Sequence, residues 1–150
     1  MEKLKLYLDS CCFNRPFDDL SQDKVRLECE AVLTIINKCE SGVWDIFRSD
    51  VLEDELDRAT NLVKKQKVFK LYSSMPLYIE ITDEIVSRAK EFQKLNVKAF
   101  DSLHLASAEY GCADVLLTTD KKFLNRALAT DSKIKIANPA IWLTEVLFSD

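Results

Sequence analysis

Lys3-Leu4-Lys5-Leu6-Tyr7-Leu8-Asp9-Ser10-Cys11-Cys12 begins with strict apolar–polar alternation, turns solidly apolar, and stops at a carboxylate. That is the pattern of a strand entering the middle of a parallel sheet, covered on both faces. Asp9 then falls at the strand's carboxyl end, the edge where open α/β sheets place their ligands. Working outward, the question is which other acids the chain brings to that edge.

Strand and helix patterns alternate along the rest of the chain. A loop rich in turn formers covers 13–19, and a helix follows over about 22–40 with Val25, Cys29, Val32, Ile36 and Cys39 on one stripe, closed by Gly42. Strands are expected at 43–48, 77–81, 115–119 and 133–137. Between them lie helices from about Val51, a second running to about Ser74, one from Asp83 behind the N-cap Thr82, one over 99–110 closed by Gly111, one from Lys121, and a last one after Pro139. This order predicts an α/β fold with a largely parallel sheet. No linker or repeat divides residues 1–150, so one domain is expected.

Composition narrows the function classes. No apolar run approaches the roughly 18 residues of a membrane span, and lysines interrupt the leucines at the N-terminus, unlike a signal peptide. A cytoplasmic protein with no membrane partner is the expectation. The five cysteines form no CxxC pair and are read as structural, against a zinc or disulfide framework. Two glycines are too few for a dinucleotide or P-loop fingerprint, and the single histidine sits in no HExxH. The net charge of −4 speaks against a broad grip on nucleic acid, and the basic run Arg58, Lys64, Lys65, Lys67, Lys70 reads as a solvated helix face.

What remains is carboxylates. At 100° per residue, Val51, Leu52, Leu56, Ala59, Leu62 and Val63 form one apolar arc, and Glu55 falls inside it. Glu53 has an ordinary role, three positions into a capping box that starts at Asp50, whereas a carboxylate on a buried face needs a partner or a metal. Asp101 stands in the first turn of an apolar helix, and Asp120 ends a strand as Asp9 does. Each of the last three also has a plain role, as first-turn acid, N-cap or turn residue. Their weight comes from all four reaching one sheet edge, where hard divalent cations take oxygen ligands. His104, alone on an apolar helix, reads as a core residue. Arg15, on the loop after Asp9, is a candidate phosphate contact beside the plainer reading of a surface arginine.

Tyr7-Leu8-Asp9-Ser10, Val51-Leu52-Glu53-Asp54-Glu55-Leu56, Asp101-Ser102-Leu103-His104-Leu105-Ala106 and Leu117-Thr118-Thr119-Asp120 together resemble the PIN domain family, which includes VapC-type toxins. The resemblance implies a three-layer fold with a central parallel five-stranded sheet between helices. It implies that Asp9, Glu55, Asp101 and Asp120 are the catalytic, metal-binding quartet, with Thr118 supporting Asp120 and Ser10 supporting Asp9. It further implies Mg²⁺ or Mn²⁺ as cofactor, hydrolysis of single-stranded RNA, an antitoxin protein as partner if the chain is a toxin, and a homodimer. The alternative is an inactive PIN-like module that binds RNA or protein. A phosphatase reading ranks last, because Asp9-Ser10-Cys11 lacks the second aspartate of a DxD nucleophile motif.

Overall fold

The computed structural model describes residues 3–149; Met1, Glu2 and Asp150, which the single-domain expectation includes, lie outside the described residues. Five parallel strands form one sheet: β1 (Lys5–Leu8), β2 (Asp45–Ser49), β3 (Leu77–Ile79), β4 (Val115–Leu117) and β5 (Lys135–Ala137), in the spatial order β3-β2-β1-β4-β5. The helices among the described residues are α1 (Ser10–Asn14), α2 (Asp23–Glu40), α3 (Asp50–Asp57), α4 (Leu62–Tyr72), α5 (Asp83–Lys94), α6 (Ala99–Tyr110), α7 (Lys121–Leu128) and α8 (Pro139–Leu147). They cover both faces, giving the α/β layering that the strand–helix alternation predicts.

The quoted stretch is the axis of the sheet. Leu6 pairs with Ile46 on one side and Val115 on the other, and Leu8 pairs with Leu117. Leu6, Tyr7 and Leu8 are fully buried, as a strand covered on both faces must be. From β1 the strand order runs outward in both directions, so the crevice between β1 and β4 is the point where the winding reverses. Asp9 and Asp120 follow these two strands directly or nearly so.

Several boundaries differ from the pattern reading, and at β2 and β3 a backbone group finds another partner. β2 starts at Asp45 rather than Val43, since the amides of Val43 and Trp44 bond to the Lys38 carbonyl at the end of α2. β3 ends at Ile79 because the Ile81 amide leaves the ladder for the Asp50 carboxylate at 2.7 Å. β4 and β5 are likewise shorter than predicted, at three residues each. Residues 10–14, expected to lead into a loop, form the short helix α1, which Asp9 caps, and Arg15–Phe17 continue it as a 3-10 turn.

Two corrections concern α3. The apolar arc drawn over 51–63 is interrupted: α3 ends at Asp57 and α4 restarts at Leu62 behind the N-cap Asn61. Val51, Leu52 and Leu56 are buried, but Ala59, Leu62 and Val63 are exposed. The cap of α3 is Ser49, whose hydroxyl accepts from the Leu52 amide, and not Asp50, which with Glu53 accepts from the Tyr78 hydroxyl. Gly42 takes the left-handed conformation expected after a helix, at φ 82°, but Gly111 has φ −77°. Its lack of a side chain serves contact instead, because a Cβ there would lie 2.6 Å from Ile79 Cδ1 and 3.1 Å from Phe47 Cζ.

Candidate active site

Asp9 is 4% exposed and adopts the extended conformation of an N-cap, its Oδ1 accepting from the Cys12 amide at 3.3 Å. The same oxygen lies 2.7 Å from Cys11 Sγ. Burial, ahead of the neighbouring Cys11, pushes the Asp9 pKa well above the ordinary carboxylate range. Cys11 is drawn down to about 5, chiefly by its contact with Cys12 and against the opposing effect of burial. The two groups sit close enough to share a proton. Cys11 also lies 3.5 Å from Thr118 Oγ1 and accepts from the Thr119 amide at 3.4 Å, so it belongs to the site's wall. That corrects the reading of all five cysteines as inert structure; only its spacing, two residues past Asp9, hinted at it. Cys29 and Cys39 do lie in the interior.

Asp120 caps α7, accepting from the amides of Lys122 and Phe123 at 3.0 and 3.2 Å. Both bonds fall on Oδ1, and Oδ2 takes no partner among the described residues. Thr118 ties the two strand ends together: its hydroxyl accepts from the Asp120 amide at 3.0 Å and lowers the Asp9 pKa by hydrogen bonding. Asp101, in the first turn of α6, is part-buried, and its pKa rises to about 6. Burial is the main cause; His104 opposes it, and the charges of Asp120, Glu55 and Cys11 add to it. Asp120 and Glu55 therefore both lie within electrostatic reach of Asp101.

Glu55 is the acid whose position sequence alone left hardest to explain. Its side chain is 28% exposed, and its Oε1 lies 2.8 Å from His104 Nε2. Burial raises its pKa, but hydrogen bonds from His104 and Ser10 outweigh that and hold it below the usual range. Ser10 acts on the charge of Glu55, while Cys11 and Cys12 bond to the Asp9 carboxylate. The Glu55–His104 pair does not carry Glu55 away from the other acids, because His104 stands one turn after Asp101 on the same helix. Sequence reading placed His104 in the core, and it is 1% exposed; what it missed is the bond to Glu55.

Arg15 does not point its guanidinium at a substrate. It donates to Glu28 Oε1 at 2.9 Å and Asp18 Oδ2 at 2.8 Å, and Glu28 is itself buried and held by Asn138 at 2.6 Å. A charge with two carboxylate partners is committed to joining α2 to the turn after α1, so the phosphate-contact reading is withdrawn. Much of the basic run is paired too: Lys64 with Asp18, Lys65 with Asp57 and Arg58 with Asp54. Lys98, Lys121 and Lys122 are exposed at the starts of α6 and α7, close in sequence to Asp101 and Asp120.

The tightest set of possible ligand atoms among the described residues is Asp9, Cys11 and Cys12, within 4.8 Å of one another. Cys12 is the poorest donor of the three, since burial raises its thiol pKa and its Sγ bonds to the Leu117 carbonyl at 3.4 Å. The four carboxylates are spread more widely around the same edge. As a donor set they are oxygen-rich, and the charge crowding at Asp101 is of the kind a divalent cation relieves.

No curated protein matches the chain. The crystal structure of VapBC2 from Rickettsia felis bound to a DNA fragment from their promoter superposes at a TM-score of 0.62 and 12% identity, over 90% of this chain and 98% of that one. That of PAE2754 from Pyrobaculum aerophilum does so at 0.54 and 18%, over 97% and 91%. At those identities the likeness is one of fold. Among the described residues, no helix is long and apolar enough to cross a membrane. The PIN domain family model matches residues 7–128, a span that opens inside β1, closes with α7 and contains all four acids; the chain belongs to the PIN domain family, whose members are generally nucleases.

Proposed function

We infer that the protein is a single-domain, divalent-metal-dependent endoribonuclease acting on single-stranded RNA, with Asp9, Glu55, Asp101 and Asp120 as its catalytic and metal-binding carboxylates. The observation that carries this reading is that Asp9 and Asp120 follow the paired strands β1 and β4, while Asp120 and Glu55 add to the burial that raises the Asp101 pKa to about 6. Asp9 and Asp120 also cap helices, but helix capping does not explain why Asp101 and Glu55 stand within reach of one another's charge.

Mg²⁺ or Mn²⁺ fits this oxygen-rich set; when bound, such an ion acidifies a water toward neutral pH and offsets charge on the phosphodiester. The protein's own groups do the rest. Asp120 keeps Oδ2 available while Oδ1 caps α7, and Thr118 fixes the spacing of Asp9 and Asp120 by touching both. Lys98, Lys121 and Lys122 supply exposed positive charge for an RNA backbone on an otherwise acidic chain. By analogy with the VapBC2 complex, a small antitoxin protein is the partner that would cover this edge. A cytoplasmic location and a homodimer belong to the same reading.

The test is incubation of the pure protein with total RNA, with Mn²⁺ and with chelator, beside Asp9→Asn and Asp101→Asn. Cleavage that needs Mn²⁺ and disappears in both folded variants is the expected result. Cleavage surviving in both variants would reject the assignment, and a wild-type protein that takes up no Mn²⁺ in calorimetry would favour an inactive binding module.

A further inference from the structure

A line of buried polar groups runs from the middle of the sheet to the candidate site. The Ser49 hydroxyl accepts from the Leu52 amide at 3.0 Å and lies 2.9 Å from the Tyr7 hydroxyl. The Tyr7 hydroxyl lies 2.7 Å from His104 Nδ1, and His104 Nε2 lies 2.8 Å from Glu55 Oε1. Ser49 and Tyr7 are 0% exposed and His104 is 1% exposed, so the chain meets solvent only at Glu55. Polar groups buried this deeply are costly unless every proton has an acceptor.

That requirement fixes the direction of every bond. The Leu52 N–H can only donate, so Ser49 Oγ accepts it, and the acceptor within reach of the serine proton is the Tyr7 oxygen. The Tyr7 O–H then donates to Nδ1. The remaining imidazole proton is on Nε2, and it donates to the Glu55 carboxylate. Reversing the chain would set the Nε2 lone pair against a carboxylate oxygen and leave the serine proton with no acceptor. We propose that His104 is a positioning residue, held in its Nε2–H form by Tyr7 and Ser49, which fixes Glu55 in one orientation toward the candidate metal site.

The consequence is coupling at a distance. Tyr7 touches none of the four acids by hydrogen bond, yet the affinity of the site for a divalent cation depends on its hydroxyl. This part rests on Glu55 being a ligand; the tautomer of His104 does not. Partners that orient a ligand typically change metal affinity about 10- to 100-fold when removed.

The chain has one histidine, so ring ¹⁵N–¹H correlation spectra of labelled protein contain a single imidazole. The neutral ring of the wild type is expected to be the Nε2–H form, and that of Tyr7→Phe a mixture of forms. Mn²⁺ titration by calorimetry is expected to weaken about 5- to 10-fold in Tyr7→Phe and about 10- to 100-fold in His104→Phe. His104→Gln, whose amide N–H stands near the Nε2 position, is expected to recover most of that loss. An Nδ1–H ring in the wild type, or a ring form unchanged in folded Tyr7→Phe, overturns the relay. An altered ring with unchanged Mn²⁺ affinity overturns the coupling to the site. A wild type that binds no Mn²⁺ removes the metal reading of Glu55, and the ring spectra still decide the relay itself.

Discussion

Asp101→Asn is expected to make the metal-free protein more stable while it removes activity. The Asp101 pKa rises from 3.8 to about 6, with burial the largest cause and Asp120, Glu55 and Cys11 adding to it. A gap of that size corresponds to at most about 3 kcal/mol spent on ionising the carboxyl in the folded state. Solvent screening at a part-buried group reduces this to about 1–2 kcal/mol. The first-turn position on α6 favours the charge by only about 0.3–1 kcal/mol, and the raised pKa shows that crowding and burial win. Because the folded pKa lies above the unfolded one, stability is complete below about pH 4 and lost as pH rises through about 6. Asparagine removes that loss with almost no change of shape. In chelator at pH 7.5 the variant should melt about 3–6 °C higher, by calorimetry or dye-monitored melting, and at pH 5 the difference should fall to roughly half. A variant that melts at or below the wild type at pH 7.5 would show that Asp101 is not under electrostatic load, and the site argument would lose its chief support.

Three further outcomes follow from the same geometry. Mn²⁺ should bind more tightly as pH rises from 5 to 7 and should release protons near pH 6, since Asp9 and Asp101 are both raised; calorimetry in two buffers of different ionisation enthalpy measures this, and zero release would refute it. Arg15→Ala should lower stability by about 2–3 kcal/mol, because buried Glu28 loses its closest cation, and should leave RNA cleavage intact; lost cleavage with an intact fold would return Arg15 to the substrate. Gly111→Ala should cost about 1–3 kcal/mol in a denaturant melt through overpacking against Ile79 and Phe47, without altering Mn²⁺ affinity.

The sheet's axis was legible because Leu6, Tyr7 and Leu8 need cover on both faces, which only a central strand provides. Glu55 was singled out from an arc of six apolar residues, yet Val51, Leu52 and Leu56 alone place it, since the helix stops before the other three. Strand ends were over-read because alternation continues past the last ladder bond; at Ile81 the deciding partner, Asp50, lies 31 residues away. The roles of Ser10, Arg15 and His104 were hidden for the same reason. The Tyr7–His104 contact spans 97 residues, and no local pattern marks it beyond a hydroxyl set between two leucines in a buried strand. Periodicity reports which face a residue occupies; it does not report which distant side chain waits there.

The position of β4 beside β1 also bears on how the protein is made. A ribosome delivers Asp9 and Glu55 early, but the slot next to β1 stays open until residues 115–117 emerge, and Asp120 follows them. Half-synthesised chains therefore lack two of the four acids or the scaffold that gathers them. Under the proposed function, a nascent chain cannot cut the message being read, because its four acids assemble only with the closing strands.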